Sequence, residues 1–500
     1  MNAIDPQVRI AQLENQLHWA ELRIQVLEER LRQQRIRQLG PQSETLSNLQ
    51  LELLVDEEPG VTGEEVEAEA KRGHVSTKPP KERKPHPGRE RLPDRLPRVE
   101  TVVRCNDLQC KACGRETAVI GYDESERLDV EPARYFVRVI KREKRACQAC
   151  KHGTVKTAPH EPQIVDKGMA SNAVVIETVV NKYCDHLPLY RQAAILEREA
   201  GFDISRATLT GWVMRVGELL GPVVQAMRRD LLKSHYLQAD ETTVPVQMHD
   251  KRGQNHEAYL WQYGKPGGET VFDFCLTRGR AGPKKFLGDW EGILQTDGYQ
   301  AYKGVGGPKM VHVGCWVHAR RKFVDAVKVN PRDAEAVNMV LRMDALFLID
   351  RNARKDGLDA AARHAMRREF APQWVAEIRT ECGEILRRWL PQSALAKAAA
   401  YTLNMWERLE GCYDHPDVEL SNNLAENSMR PVALGRKNWL HVGSVQAGPK
   451  VAAILSVVES CRRLGIPVKA YLGAVLPGLA GKTLSQAAYL TPARWAAANR

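Results

Sequence analysis

A four-residue pattern, Leu-Gln-x-Asp, occurs twice, at Leu237 to Asp240 and at Leu294 to Asp297. The copies lie in His235 to Gln247 and Ile293 to Tyr299, and each ends an apolar, strand-like run that would carry its aspartate to the rim of a sheet. Neighbours on a strand point to opposite faces, and the repetition selects Asp240 over Glu241. A third acid, Glu426, opens a later helix. Either aspartate alone reads as a strand-end cap, whereas three such acids point to a divalent-metal site with oxygen ligands.

The surrounding pattern predicts a mixed α/β sheet. After the Asp240 strand come Ala258-Tyr-Leu-Trp-Gln-Tyr and Thr270-Val-Phe-Asp-Phe-Cys-Leu, separated by a Gly264-Lys-Pro-Gly-Gly turn. That order predicts a three-stranded antiparallel meander, followed by a short helix at 283–290 and a fourth strand over Ile293 to Thr296. Residues 310–325 join a strand to a helix whose basic cluster, Arg320, Arg321 and Lys322, is a candidate phosphate contact. His312, Cys315 and His318 are three apart and could bind a metal, although a packed cysteine and hydrogen-bonded histidines explain them as well. Residues 333–413 read as helical, with Trp374, Trp389 and Trp406, and separate Glu426 from the two aspartates. Asn423 stands three residues before Glu426, the spacing of a capping box in which the acid merely caps its own helix. The alternative puts Glu426 in the first turn facing both aspartates, with Arg430, Arg436 and Lys437 beyond it to hold a DNA backbone.

With 500 residues, 43% of them hydrophobic, the chain is long enough for several domains. A net charge of +11 favours a polyanionic partner, nucleic acid above all. The sequence shows neither a signal peptide nor an apolar run near the ~18 residues of a membrane span, so a soluble, cytoplasmic protein without a membrane partner is expected. Its eleven cysteines are unevenly spaced, which suits thiols and metal ligands better than a disulfide framework.

Upstream of the core, Ile10, Leu13, Leu17, Ala20, Ile24, Leu27 and Leu31 make an a/d seam of about three heptads. It predicts a dimerisation helix over 1–40, closed by Gly40-Pro41; a helix packing on its own chain would show the same seam. Residues 41–104 are a charged linker. Asp56 to Ala70 holds seven acids and no bases, and Lys71 to Glu100 holds ten bases, four acids and six prolines. Neither half can bury a core, and the basic half could track phosphates or serve only as a solvated tether.

Cys105, Cys110 and Cys113 are followed, after 33 intervening residues, by Cys147 and Cys150. Two Cys-x-x-Cys knuckles can give four thiolates to one tetrahedral zinc, here Cys110, Cys113, Cys147 and Cys150, with Cys105 a bystander or substitute. Four protein ligands leave no open position, so this zinc is structural, in a domain spanning 105–158. Over 164–232 the pattern turns helical. Pro188 opens a helix, Gly201 breaks it and Ser205 caps the next, an arrangement that fits a helix-turn-helix, although a plain bundle fits too. In the first case Arg206, Thr208 and Thr210 would meet DNA. The catalytic core would then occupy 233–330 and 415–465, interrupted by a helical insertion over 331–414 and followed by a tail over 466–500.

Together these residues resemble the transposases of the insertion sequence 66 family along nearly the whole chain. The resemblance is carried by Leu39-Gly-Pro-Gln-Ser-Glu, the Cys110 to Cys150 region, Leu187-Pro-Leu-Tyr-Arg and Leu209 to Trp212. In the core it rests on Asp240-Glu-Thr, Gln295-Thr-Asp-Gly-Tyr, Cys315-Trp-Val-His-Ala-Arg-Arg-Lys-Phe, Asn422-Asn-Leu-Ala-Glu, Arg430-Pro and Gly435-Arg-Lys-Asn-Trp. It implies a ribonuclease-H-like fold with a DDE triad of Asp240, Asp297 and Glu426. The implied activity is cleavage and strand transfer of double-stranded DNA, at the element's terminal inverted repeats and at a target. Two Mg²⁺ or Mn²⁺ ions, about 3.5 to 4 Å apart, would be held by the triad. A homodimer or higher oligomer, joined by accessory proteins encoded on the element, is also implied. Ser421 stands where many members have Asp, and Asn427 where many have Arg; the first bears on capping and the second removes one phosphate contact. A nuclease that cuts without joining, or a DNA-binding regulator without catalysis, would share parts of the pattern.

Overall fold

The computed structural model describes residues 100, 102, 122, 135–145, 156–248 and 254–499. The heptad seam, nearly all of the linker, the four knuckle cysteines and Cys105 lie outside the described residues. All elements named below belong to one compact unit.

Three helices precede the sheet: α1 (Asn172–Tyr183), α2 (Leu189–Ala200) and α3 (Arg206–Leu231). Their boundaries follow local chemistry. The Ser171 and Ser205 side chains accept the first free backbone N–H groups of α1 and α3, and Gly201 ends α2 at φ 63°, where a Cβ would strain. These helices share one hydrophobic core with the sheet, through Val175, Val179, Leu209, Val213 and Val216 among others.

Strand β1 (Tyr236–Gln247) is followed by β2 (Asn255–Gly264) and β3 (Thr270–Cys275), the expected antiparallel meander. Helix α4 (Ala281–Leu287) carries the chain to the other side of β1, where β4 (Ile293–Gln295) and β5 (Val311–Val313) add in parallel. The order is β3-β2-β1-β4-β5, a mixed five-stranded sheet consistent with a ribonuclease-H-like core. Asp240 differs from its expected place at a strand end. Strand β1 runs on to Gln247 because β2 continues to pair with it, while β4 leaves it after Gln238.

Alternation along β1 divides the interior in two. Leu237 and Ala239 join the core built by the first helices, whereas Tyr236 joins a second core beneath α5 (Trp316–Val329). That second core is completed by the insertion: α6 (Ala334–Lys355), α7 (Ala360–Phe370), α8 (Pro372–Arg388), α9 (Ala394–Asn404) and α10 (Trp406–Asp414). Asp333, Asp359 and Ser393 cap three of these helices.

The chain then enters α11 (Asn423–Trp439) and α12 (Ala447–Arg463). Helix α12 covers the open edge of β3. Ser456 Oγ accepts from Phe272 N at 2.8 Å and Ser460 Oγ from Thr270 N at 2.9 Å, so edge groups that would recruit another strand are satisfied. Small residues permit this docking: a Cβ on Gly448 would lie 2.4 Å from the Phe274 ring, and one on Gly217 of α3 would lie 2.6 Å from Lys450 O. Within the stretch expected as a tail over 466–500, the described residues form α13 (Val468–Val475), α14 (Leu484–Ala487) and α15 (Pro492–Ala498). Tyr471, Leu472 and Val475 are buried in the first core. The spacing of Val468, Tyr471, Leu472, Val475 and Leu476 is that of one helix face, a signal that the reading of this stretch as a tail passed over. Among the described residues no helix is long and apolar enough to cross a membrane.

Candidate active site

Asp240 shares a strand face with Gln238 and Tyr236, and Asp297 follows Gln295 by the same two residues. Glu426 lies in the first turn of α11. Burial pushes the Asp240 carboxyl well above the usual carboxylate range, and the negative charges of Glu241, Asp297 and Glu426 push it further. Asp297 and Glu426 are thus close enough to Asp240 for their charges to act on it. Glu241 lies on the other face. Its carboxylate accepts from Arg278 Nη2 at 2.7 Å and Tyr302 O–H at 2.9 Å.

Backbone geometry fixes the two aspartates. Asp240 Oδ1 accepts from Glu241 N at 2.9 Å, and Asp297 Oδ1 accepts from Tyr299 N at 2.8 Å. The second bond closes a tight turn through Gly298, whose φ of 90° excludes a side chain and whose missing Cβ makes room for Met405. Tyr401 of α9 donates its hydroxyl to Asp297 O at 2.8 Å, so the insertion touches the site directly.

Glu426 is no capping-box residue. The N-cap is Asn422, not Asn423, and its side chain makes no cap bond. Glu426 instead meets α5: Arg321 Nη2 lies 3.3 Å from Oε2 and His318 Nε2 3.5 Å from Oε1. Pro431, four residues after Asn427, lacks the N–H that Asn427 O would accept inside the helix. Arg462 Nη2 points to that oxygen instead, at 3.4 Å.

Among the described residues no three His, Cys, Asp or Glu side chains converge as a ready ligand set. The donor chemistry nevertheless suits a divalent cation. The charges of Asp297 and Glu426 raise the proton affinity of the buried Asp240, and Glu426 Oε1 is buried without a hydrogen bond among the described residues. The His312, Cys315 and His318 trio does not form a metal site here. His312 Nε2 is 2.7 Å from Thr296 Oγ1, Cys315 Sγ accepts from Asn422 N at 3.4 Å, and His318 faces Glu426.

The basic residues assigned to DNA fall into two groups. Arg320 is held by Asp344 at 2.6 and 3.0 Å, Arg321 by Glu426, and Arg436 by Thr243 O at 2.6 Å and its Oγ1 at 2.8 Å, which ties α11 to β1. Arg206, Thr210, Lys322, Arg430 and Lys437 are exposed, and Thr208 bonds its own cap at Ser205. One cation beside the aspartates escaped the sequence reading. Arg278 is stacked 3.9 Å from the Tyr299 ring centre and paired with Glu241. Only the Gly-Tyr after Asp297 hinted at such a platform.

His312 offers a stability test. Burial, followed by the Arg408 charge, lowers its pKa from 6.5 to about 3. Between those values the unfolded chain binds more protons than the folded one, so the stability His312 contributes is complete above 6.5 and declines as pH falls toward 3. Urea unfolding should show wild type losing up to roughly 2 kcal/mol relative to His312→Gln between about pH 7.5 and about pH 5. A difference that stays constant with pH would count against a neutral, buried imidazole.

Comparison with known proteins adds three matches. Residues 167–450 match the family described as "Transposase IS66 family", residues 107–151 the "zinc-finger binding domain of transposase IS66", and residues 26–101 "Transposase C of IS166 homeodomain". The zinc-finger match contains Cys110, Cys113, Cys147 and Cys150 and begins after Cys105. Three relatives come from Sinorhizobium fredii, each named as an uncharacterized protein. Protein y4jD is 32% identical over 81% of this chain and 82% of its own length. Protein y4qI is 30% identical over 77% and 73%, and y4hP 30% over 96% and 89%.

Proposed function

Since the chain belongs to the IS66 family of transposases, we propose that it binds the ends of a mobile element and catalyses metal-dependent cleavage and strand transfer of DNA at Asp240, Asp297 and Glu426. The observation that carries this reading is that the charges of Asp297, from the turn after β4, and of Glu426, from α11, both reach the buried carboxyl of Asp240 on β1. Natural chains gather buried like charges where chemistry uses them, since the cluster costs stability otherwise.

The triad would hold two Mg²⁺ or Mn²⁺ ions, an all-oxygen donor set being suited to both. Such ions, when bound, supply charge stabilisation to an in-line displacement at phosphorus and lower the pKa of a bound water. The chain's own residues position the reaction. In cleavage a water oxygen bonds to phosphorus, the bond to the 3′ oxygen breaks, and the water's proton passes to solvent. In strand transfer the freed 3′-hydroxyl oxygen bonds to a target phosphorus and displaces that strand's 3′ oxygen. Lys322, Arg430 and Lys437, exposed near the triad's helices, would hold the backbone, and Arg206, Thr208 and Thr210 at the start of α3 would read the ends. The zinc at Cys110, Cys113, Cys147 and Cys150 would stabilise its own domain, and the heptad seam would pair two copies.

The test is an integration assay with the full chain, pre-cut element-end DNA, supercoiled plasmid and Mg²⁺. Joined end–plasmid product is expected. Nicking without joining would replace this reading by a nuclease, and Mg²⁺-independent binding without any cut would replace it by a regulator.

A further inference from the structure

We propose that the glutamines of the repeated tetrapeptide, Gln238 and Gln295, together with Tyr236, are positioning residues that set where Glu426 stands relative to the two aspartates. The inference rests on the catalytic reading above and concerns residues that touch none of the reacting atoms.

The three side chains are buried, at 1%, 0% and 4% exposure. In such surroundings polar groups cost stability unless bonded, and apolar residues would pack β1 and β4 more simply. Their bonds instead run across the site. Parallel register sets Gln238 beside Gln295. Tyr236 donates its hydroxyl to Gln295 Oε1 at 2.6 Å, and Gln238 Nε2 reaches the same oxygen at 3.0 Å. The remaining bonds leave the sheet. Gln238 Nε2 donates to Ser421 O at 2.9 Å, Gln295 Nε2 to Glu419 O at 2.7 Å and Gly314 O at 3.0 Å, and Glu419 N donates to the Tyr236 oxygen at 3.2 Å.

Every one of these links grips either β5's exit or the irregular segment 419–421, which belongs to no strand or helix and leads straight into α11. In each copy the catalytic aspartate follows its glutamine by two residues: Asp240 on the same face of β1 as Gln238, and Asp297 in the turn that begins where β4 ends at Gln295. One rigid amide cluster therefore indexes all three acids at once. That explains why the glutamine recurs with the aspartate: the repeat is a coupled pair of acid and anchor.

The full chain should be compared with Tyr236→Phe, which removes one hydroxyl and keeps the ring, and with Gln295→Met, which keeps volume and removes the amide. Four quantities are measured: melting temperature, element-end binding, Mn²⁺ binding without DNA by electron paramagnetic resonance, and the Mg²⁺ dependence of cleavage. Loss of one or two hydrogen bonds predicts about a tenfold weaker Mn²⁺ affinity and about a tenfold higher half-saturating Mg²⁺ in Tyr236→Phe, with end binding unchanged. If Gln295→Met does not fold, Tyr236→Phe alone decides. A lowered melting temperature with Mn²⁺ affinity and half-saturating Mg²⁺ within twofold of wild type would reduce the cluster to a packing role and overturn the proposal. The catalytic reading fails separately: wild type that never cuts, or Asp240→Asn that cuts normally, defeats it, while Mn²⁺ affinity still decides the positioning role.

Discussion

Glu426→Gln is expected to abolish Mg²⁺-dependent cleavage and joining while element-end binding survives, and Asp240→Asn and Asp297→Asn should do the same. Each exchange keeps shape and removes one negative charge, so the fold has little reason to change. Charge stabilisation at a metal-assisted phosphoryl transfer amounts to several kcal/mol, and about 1.4 kcal/mol is a factor of ten in rate, so a loss of at least roughly 10³-fold is expected. Stability supplies a second readout. Asp240 holds its proton well above the ordinary range because it is buried beside other acids, so its ionised form destabilises the fold at neutral pH and that penalty disappears as pH falls. Asp297→Asn removes one of those charges and still accepts the Tyr299 N–H. Its melting temperature in the presence of a chelator should therefore rise above wild type, and that of Glu426→Gln should not, because Glu426 already has Arg321 and His318 as partners. Strand transfer at wild-type rate by any of the three would sink the assignment.

What could be read in advance follows from the range of the forces concerned. The meander, the α5 entry and the Ser205 cap rest on neighbours within a few residues, so alternation and capping chemistry reveal them. The proposed choice of Asp240 over Glu241 likewise rests only on strand parity and the repeated motif. The pairing of Arg320 with Asp344, 24 residues away, and of Arg436 with Thr243, 193 residues away, arises from tertiary contact. A basic residue looks alike in sequence whether it meets a phosphate, a carboxylate as Arg320 does, or a threonine carbonyl and hydroxyl as Arg436 does, which is why these two were assigned to DNA. The glutamines stood in plain view inside the motif, yet their purpose depends on Ser421 and Glu419, more than 120 residues beyond, and no local pattern marks those carbonyls as partners.

The insertion reaches the same segment through a buried ion pair, and breaking it should have the largest effect on stability. Arg367 and Asp350 are 2% and 8% exposed. Arg367 Nε donates to Asp350 Oδ1 at 2.8 Å and Nη1 to Val418 O at 2.5 Å, while Arg354 shares Asp350 at 3.1 Å. Arg354 and Arg363 also engage Glu419, the residue whose backbone meets Tyr236 and Gln295. Asp350→Ala leaves a guanidinium buried without its main partner, which costs about 3–5 kcal/mol. Asp350→Leu with Arg367→Met replaces both charges by apolar volume and should recover most of that loss in urea unfolding. Activity should not follow stability. The double variant no longer holds Val418 O, so the segment leading to Glu426 loses an anchor and cleavage should stay well below wild type despite the restored fold. Should Asp350→Ala cost under about 1 kcal/mol, the pair is too solvated to act this way; should the double variant cleave as fast as wild type, the insertion stabilises the core without helping to place its third acid.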